Sequence, residues 1–303
     1  MVFSSPVPPH FSGLPLQNYL ARRFTYHELK QWREHIVAGR VTLNGERVDC
    51  MAEVTAGDIV SFEPPPFEEP PADTRYGIVY DDPWLLGVDK PGNLLVHRAG
   101  RSFTNNLIRL LRSAPGAPWG PELHIVNRLD RHTSGVVLVA KQRAALVTMN
   151  ASLARGEVDK EYTAIVEGIA SRSAFTVDRP IGKMERAESG APKYRVDPDR
   201  GKPARTDLEL VRRLGPSHSL VTARPRTGRT HQIRVHLAWA GLPIAGDTLY
   251  GAVPEAPGIG RQALHCRALA FRHPRSGEPV KIAAPVPDDM RKLERALEGV
   301  VGK

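Results

Sequence analysis

The chain has 303 residues, 41% of them hydrophobic, and carries a net charge of +9. This length accommodates one large core and a small extra domain, and the excess of basic residues favours a polyanionic partner such as RNA or DNA. The isolated Cys50 and Cys266 argue against a cysteine-based zinc site and for a reducing cytoplasm. No apolar run approaches the roughly 18 residues that span a membrane.

The first 63 residues are predicted to form a small α+β domain. Apolar residues in the segment 16–38 follow helical spacing, which indicates two short amphipathic helices. The segment 39–48 is typical of a hairpin with an Asn-Gly turn, and 54–60 is typical of a further strand. Two helices followed by a small sheet resemble the RNA-binding domain first described in ribosomal small-subunit protein four.

The charges of this domain are unevenly distributed. Its six lysines and arginines all lie between Arg22 and Arg47, whereas four of its seven acidic residues follow Arg47. We therefore expect a one-sided basic face in which Lys30, Arg33 and Arg40 bind RNA. The competing interpretation is a helical hairpin with ordinary solvated charges.

A proline-rich segment, 64–75, follows this domain. Five of its first eight residues are proline, so it can continue neither a helix nor a central strand. We expect it to adopt extended polyproline geometry and to act as a semi-rigid linker.

Residues 76–303 are predicted to form a second, larger α+β domain. Short β-branched runs predict strands at 78–80, 85–88, 136–139, 162–166, 207–211, 219–223 and 280–283. Helical spacing predicts helices near 105–112, 142–155, 230–240 and 288–297. Because many connections are too short for βαβ crossovers, we expect a mixed, mostly antiparallel sheet with flanking helices. The polar segment 186–200 is predicted to be a mobile loop.

The segment from Asn127 to Gly135 is the most informative in the chain. It places Asp130 between Arg128 and Arg131, ahead of a Thr-Ser-Gly sequence and a short β-branched strand. Nearby cations favour an ionised carboxylate, which would make Asp130 a nucleophile or a counter-ion. On this segment alone, a surface salt-bridge cluster followed by a local turn is an equally good interpretation.

A second segment, from Thr227 to Leu237, contains the sequence Gly-Arg-Thr-His-Gln-Ile-Arg. Together the two segments resemble the pseudouridine synthases of the ribosomal large-subunit type, the group typified by its A enzyme, whose nucleophile motif ends in Thr-Ser-Gly. Three further stretches match that family in the same order; they are found at 78–91, 160–162 and 264–274. The resemblance covers about residues 76–290 and predicts an isomerase acting on RNA, most readily rRNA, with tRNA as the alternative.

The resemblance assigns the chemistry to three residues. Asp130 is implied to be the nucleophile, which acts at the sugar C1′, through a glycal, or at uracil C6. Arg234 is implied to hold Asp130 charged, with Arg229 as the fallback for that role or as a phosphate ligand. Tyr162 is implied to give uracil an apolar platform and to assist proton transfer, although its residue type alone indicates only a half-buried strand aromatic.

The remaining site predictions concern substrate binding. Arg128 is implied to fill the gap left by the flipped nucleotide, because the target atoms are inaccessible in a stacked helix. We expect Arg128, Arg229, Thr133, His231 and Gln232 to bind the substrate, with Thr133 also shaping the nucleophile turn. Nothing in the sequence indicates a cofactor or a catalytic metal, and we expect a monomer.

Two positions depart from the family pattern. Asn127 stands where histidine is usual and His132 where an acid is common, which leaves the subgroup and target nucleotide open. One alternative function is an inactive RNA-binding protein, which would not need Asp130, Tyr162 and Arg234 together. Another is a glycoside hydrolase, which normally requires two carboxylates around the scissile bond, whereas the motifs supply one carboxylate and an arginine.

Overall fold

The computed structural model of the chain describes residues 2–65, 69–100, 102–116, 118–120, 122–184, 192–251 and 258–299. The chain divides into two compact units, Met1–Pro70 and Pro71–Lys303. The predicted linker 64–75 spans this division, because its first seven residues group with the first unit and the others with the second.

The described part of the first unit contains two α-helices, a short 3-10 helix (Pro9–Phe11) and a four-stranded sheet. Its elements are β1 (Phe3–Pro6), α1 (Leu16–Arg23), α2 (Leu29–Val37), β2 (Val41–Leu43), β3 (Glu46–Arg47) and β4 (Ile59–Phe62). The strands pair antiparallel in the order β1-β4-β2-β3. The two predicted helices and the hairpin are confirmed, while β1 was not predicted.

The helices of the first unit form because their apolar residues recur at helical spacing. Leu16 and Leu20 on α1, and Trp32 and Ile36 on α2, are buried in one core. Glu28 and Gln31 form a capping box at the start of α2, which satisfies backbone amides that the helix cannot.

The second unit is built on a ten-stranded sheet and a separate two-stranded hairpin. Its described strands are β5 (Gly77–Asp81), β6 (Leu85–Lys90), β7 (His124–Ile125), β8 (Ser134–Ala140), β9 (Asp159–Glu167), β10 (Ala174–Asp178), β11 (Ile181–Lys183), β12 (Tyr194–Val196), β13 (Arg205–Leu214), β14 (His218–Pro225), β15 (Leu264–Arg272) and β16 (Pro279–Ala283). Its described helices are α3 (Leu107–Arg112), α4 (Arg143–Ala154), α5 (Gln232–Trp239) and α6 (Asp288–Gly299).

The large sheet is mixed and mostly antiparallel, as predicted. Its main path runs β10-β13-β14-β9-β15-β8-β6-β5, with β16 beside β15 and β7 beside β8. Among the described strands, β15 and β8 alone pair in parallel. At this pair Gly135 has φ +109°, and a Cβ there would lie 2.2 Å from the carbonyl oxygen of Cys266. Only glycine therefore allows the start of β8 to approach β15 so closely.

Strand β15 lies near the centre of the sheet but was not predicted. Most of its residues are buried on both faces, so its sequence lacks the alternation of apolar and polar residues that marks a half-exposed strand. The predicted loop 186–200 was partly wrong, because Tyr194–Val196 pairs with Ile181–Lys183. Residues 186–191 of that prediction lie outside the described residues. In the described parts of the chain, no helix has the length and apolarity needed to cross a membrane.

His265 gives the sheet a testable dependence on pH. Its side chain is buried on β15, with Nδ1 3.0 Å from the Ser134 hydroxyl and Nε2 3.4 Å from the Ala284 carbonyl. Burial lowers the pKa of His265 to about 4. Because the unfolded chain then binds more protons than the folded one between pH 6.5 and 4, stability must fall as pH decreases through this range.

We expect His265→Gln to reduce the slope of unfolding free energy against pH, by up to about 1.4 kcal/mol per pH unit. Urea unfolding of both proteins at several pH values from 7 to 4 measures the two slopes. Parallel slopes would contradict a buried, neutral His265.

Candidate active site

A cleft of about 570 Å³ opens in the second unit beside the turn that precedes β8. Its lining combines charged, polar and aromatic side chains from three parts of the sheet and from the start of α5. The lining residues that carry potential chemistry are Arg128, Asp130, Lys160, Tyr162, Arg229 and Arg234. The two sequence motifs are therefore brought together, although about 100 residues separate them.

Asp130 lies in a tight turn immediately before β8. Its carbonyl accepts a hydrogen bond from the Thr133 amide at 3.1 Å, and 27% of its side chain is exposed to the cleft. Leu129, the residue before Asp130, is buried in the core. The carboxylate is consequently held at the edge of the sheet yet remains reachable.

Two buried cations hold the backbone of this turn. The Lys90 ammonium, fully buried, donates hydrogen bonds to the carbonyls of Pro91, Leu94 and Arg131. Burial, together with the charge of Arg261, lowers the pKa of Lys90 to about 7.

Arg261 contacts the next residue of the turn. It donates to the His132 carbonyl at 3.0 Å and forms a bidentate pair with Asp289 at 2.7 and 2.9 Å. Hydrogen bonds thus connect the turn to the end of β6 through Lys90, and to α6 through Arg261 and Asp289. They restrict the positions that the Asp130 carboxylate can adopt.

Arg234, in the first turns of α5, joins two carboxylates. Its NH1 donates to Asp130 Oδ2 at 3.1 Å, while Nε and NH2 donate to the two oxygens of Asp247 at 2.7 and 2.9 Å. Burial alone would lower the pKa of Arg234, but the hydrogen bonds and charges of Asp247 and Asp130 outweigh it and raise the pKa. Arg234 is therefore a permanent cation against Asp130.

Asp247 is the main site residue that sequence reasoning missed. It is 2% exposed, and its bidentate pair with Arg234 fixes the plane of the guanidinium. The ion pair of Arg234 with Asp130 was implied by the resemblance, whereas no spacing rule links residues 234 and 247. The one signal in the sequence was that Asp247 follows Gly246 directly.

His231 contacts the same carboxylate from another side. Its Nε2 lies 3.7 Å from Asp130 Oδ2, and its Nδ1 is 2.8 Å from the Tyr250 hydroxyl. The Asp130 carboxylate beside Nε2 favours the tautomer with its proton there, which leaves Nδ1 to accept from the Tyr250 hydroxyl, while the Tyr250 oxygen accepts from the Tyr194 amide at 3.0 Å. Burial lowers the pKa of His231, which favours a neutral ring that carries its proton on Nε2, facing Asp130.

Tyr162 forms an apolar wall of the cleft. It is 8% exposed, and it pairs across the sheet with Cys266 on β15. Burial, reinforced by Cys266 and Asp130, raises the pKa of Tyr162 well above its usual value, so the phenol stays protonated at neutral pH. The sheet has an irregularity between Cys266 and Ala268, opposite Tyr162, as is common next to active sites.

The arginines at the mouth of the cleft differ in their contacts. Arg128 is exposed, and within the described structure it makes no hydrogen bond or ion pair. Arg229 is also exposed, and its Nε donates to the Pro203 carbonyl at 3.0 Å. Neither contacts Asp130, and Arg131 also turns away from that carboxylate, so the flanking arginines are not what compensates its charge.

Two residues predicted to bind substrate are occupied within the protein. Gln232 accepts hydrogen bonds from the Thr227 hydroxyl and the Arg229 amide, and its amide group donates to the Arg205 carbonyl and the Thr206 hydroxyl. Its hydrogen-bonding groups thus fix the loop before α5.

Thr133 is likewise 2% exposed, with its hydroxyl 3.2 Å from the Gln262 side-chain nitrogen. The polar groups of Thr133 and Gln232 therefore contact protein, and both residues stabilise the segments around the site.

The two departures from the family pattern have different consequences. Asn127 donates to the Val136 carbonyl at 3.2 Å and accepts from the Leu138 amide at 2.7 Å, so its side chain extends the pairing of β8. The His132 Nδ1 is buried without a hydrogen-bond partner among the described residues. Burial, then the nearby cations Arg131 and Lys90, lower the pKa of His132, which favours its neutral form.

The cations predicted to bind RNA in the first unit do not share one face. Lys30 and Arg33 are exposed three residues apart on α2, and Arg33 Nε donates to Gln17 at 2.6 Å. Arg40 instead lies beside His35, with 3.3 Å between NH1 and Nδ1. His35 is about 160° around the helix from Arg33, so the expected single basic face is divided into two parts.

The geometry of the cleft supports acid, base and nucleophile chemistry on an organic substrate. It offers a partly exposed carboxylate held by a permanent cation, a neutral histidine and an aromatic wall. Within the described residues, no group of three or more histidine, cysteine or acidic side chains is arranged to hold a metal ion.

Comparisons with known proteins show which family the chain belongs to. The model of the RNA pseudouridylate synthase family matches residues 85–239. The chain is 34% identical to ribosomal large subunit pseudouridine synthase D of Xanthomonas campestris pv. campestris, over 96% of this chain and 91% of that protein. It is 35% identical to ribosomal large subunit pseudouridine synthase C of Vibrio vulnificus, over 86% and 85% of the two chains.

A solved structure extends the similarity to the fold. Human RNA pseudouridylate synthase domain containing 1 matches with a TM-score of 0.58 and 27% identity, covering 76% of this chain and 97% of that chain. The chain therefore belongs to the RNA pseudouridylate synthase family. It is an isomerase, which confirms the class of enzyme expected from the motifs.

Asp247→Asn tests whether the Asp247 carboxylate holds the Arg234 guanidinium in place. The amide keeps the shape of the side chain but leaves a buried guanidinium with only Asp130 to compensate it, so we expect a loss of about 3–5 kcal/mol in stability. We also expect the rate of uridine isomerisation to fall at least about tenfold, because Arg234 is no longer held in place.

Urea unfolding and single-turnover assays on folded protein measure the two effects. Asp288→Asn, which removes an exposed pair with Arg291, is the control and should change stability by less than about 0.5 kcal/mol. A wild-type rate in Asp247→Asn would show that this carboxylate does not support the site.

Proposed function

We propose that this enzyme converts uridine to pseudouridine in ribosomal RNA, with Asp130 as the nucleophile and with the target nucleotide flipped into the cleft. The choice of rRNA is supported by relatives named for the ribosomal large subunit, which align with nearly the whole chain. The free thiols of Cys50 and Cys266 support action in the reducing cytoplasm. We propose that it acts as a monomer.

The observation that carries the proposal is the contact between Arg234 and Asp130 at 3.1 Å. A nucleophilic carboxylate must meet its target in one orientation, and a charge-assisted hydrogen bond from a buried guanidinium fixes that orientation. The same contact leaves one carboxylate oxygen, Oδ1, without a hydrogen bond to the described residues, and the side chain is partly exposed. Asp130 is thus paired with a cation, oriented and accessible.

The reaction itself balances without any added reagent. The bond between C1′ and uracil N1 breaks, a bond between C1′ and C5 forms, C5 loses a proton and N1 gains one. Tyr162, with its ring against the cleft, is suited to hold the detached uracil while it turns. Its protonated hydroxyl can donate but cannot act as a base at neutral pH, so it does not take the C5 proton unaided.

The mouth of the cleft is suited to a flipped nucleotide. Flipping removes the base from its stack, which costs a few kcal/mol, and Arg128 is exposed and free to occupy the space left behind. The exposed Arg229 is anchored through Nε alone, so its other nitrogens can contact a phosphate. These two arginines therefore bind RNA in the proposal, while Arg234 serves the chemistry.

The first unit supplies a second contact with RNA in this proposal. A tethered second contact raises the effective concentration of the cleft near its target without adding chemistry. Lys30 and Arg33 form one basic patch on α2 and Arg40 forms another beside His35, so the contact is distributed over both sides of the helix.

The Asp130→Asn variant tests the chemical assignment. The substituted side chain has the same shape but neither charge nor nucleophilicity, so we expect no pseudouridine while RNA affinity stays within about threefold of wild type. Pseudouridine mapping of rRNA and tRNA should show one or more sites that are lost when the protein is absent. These sites should return with wild type but not with Asp130→Asn; substantial turnover by the variant would refute the role of Asp130.

Charge reversal tests the first unit. We expect Arg33→Glu and Arg40→Glu, made separately, each to weaken binding of long structured rRNA about three- to tenfold and to reduce its salt dependence. The rate constant at saturating short stem-loop RNA should not change, because neither residue belongs to the cleft. Arg291→Glu on α6 is the control; equal effects of all three reversals would mean that only net charge matters.

A further inference from the structure

Arg131, the residue after Asp130, binds two other segments of the second unit. Its Nε donates to the Asn93 side-chain oxygen at 2.9 Å, and its NH2 donates to the Pro71 carbonyl at 2.9 Å. The Asn93 amide nitrogen donates to the same carbonyl at 3.1 Å. We call these three residues the latch; Pro71 is the first residue of the second unit.

Asn93 has the backbone geometry that the latch requires. Its φ is +58°, in the left-handed region that asparagine tolerates better than most residues other than glycine. In this conformation its carbonyl accepts the Asp73 amide at 3.3 Å while its side chain reaches Arg131. Glycine at position 93 would keep the backbone conformation and lose only the side-chain contacts.

The latch is continuous with the backbone of the nucleophile turn. The Leu94 amide, next to Asn93, donates to the Arg131 carbonyl at 3.0 Å, and Lys90 donates to the same oxygen at 3.2 Å. Arg131 is thus held through both its side chain and its carbonyl. A shift of this residue must move Asp130, to which it is directly bonded.

We propose that Arg131 and Asn93 are positioning residues that set the Asp130 carboxylate against Arg234 by clamping the turn to the start of the second unit. The proposal rests on the proposed function in one respect, the role of Asp130. Arg131 sits beside the nucleophile of an RNA enzyme, where a phosphate contact would be the usual expectation. Its Nε and NH2 instead donate to two neutral oxygens of the protein, and this pair of separate N–H donors is available from a guanidinium and not from an ammonium.

The test uses four variants of the full-length chain: Arg131→Gln, Arg131→Lys, Asn93→Gly and the double variant Arg131→Gln/Asn93→Gly. We expect Arg131→Gln to lower kcat about tenfold on a short stem-loop RNA with KM changed less than twofold, because small displacements of a nucleophile are costly. Arg131→Lys should be nearly as slow, since one ammonium cannot replace the separate Nε and NH2 donors of the guanidinium.

Asn93→Gly separates the latch from any RNA contact, because it changes no charge. We expect it to lower kcat about threefold, and the double variant should be no slower than Arg131→Gln, since both changes break the same contacts. Arg291→Gln on α6 is the control for removing an arginine and should retain the wild-type kcat.

Hydrogen exchange supplies a readout that does not depend on the reaction. Loss of the latch should speed exchange of the Leu94 amide relative to amides in the middle of β8, because the Arg131 carbonyl is less firmly held. This measurement distinguishes failure of the latch from failure of the proposed function, because it applies to a protein with no activity on any RNA.

Three results would overturn the proposal. A weaker RNA affinity with a reduced salt slope in Arg131→Gln, rescued by Arg131→Lys, would make Arg131 a phosphate ligand. A wild-type kcat in Asn93→Gly would show that the latch does not contribute to catalysis. Unchanged exchange at Leu94 in both single variants would mean that the contacts do not hold the turn.

Discussion

A guanidinium with 8% of its side chain exposed must have its charge compensated inside the protein, and Arg234 meets that requirement with two carboxylates. Asp247, itself buried, takes Nε and NH2 and so fixes the orientation of the group. NH1 is left for Asp130, the one partner with access to the cleft. The buried pair orients the cation, and the cation pairs with and orients the carboxylate that faces the cleft.

The fold supplies the two halves of this arrangement from distant parts of the chain. Asp130 stands in the turn before β8, a strand whose approach to β15 depends on Gly135, and Arg234 stands at the start of α5. Helix and strand ends are where side chains can face a cleft while the backbone stays in the core. Lys90 and Arg261 donate hydrogen bonds to backbone carbonyls of the turn. Buried hydrogen bonds from several elements therefore position the carboxylate.

Sequence reasoning singled out Asp130, Tyr162 and Arg234 through the family resemblance, and the structure brings all three into one cleft; the mostly antiparallel sheet followed from short connections. It assigned Gln232 and Thr133 to substrate because a polar residue in a motif gives no sign of which way it faces. It missed β15 because burial on both faces erases alternation. Asp247 and the Asn93 contact with Arg131 depend on tertiary approach, which no local pattern encodes.

Chemical rescue of Arg234→Ala tests most directly whether the buried cation is what makes Asp130 reactive. The account predicts that the variant binds RNA within about threefold of wild type but isomerises uridine at least about a hundredfold more slowly in single-turnover assays. Added guanidinium should restore part of that rate, and should restore nothing in Asp130→Asn. A wild-type single-turnover rate in Arg234→Ala without guanidinium would contradict the account.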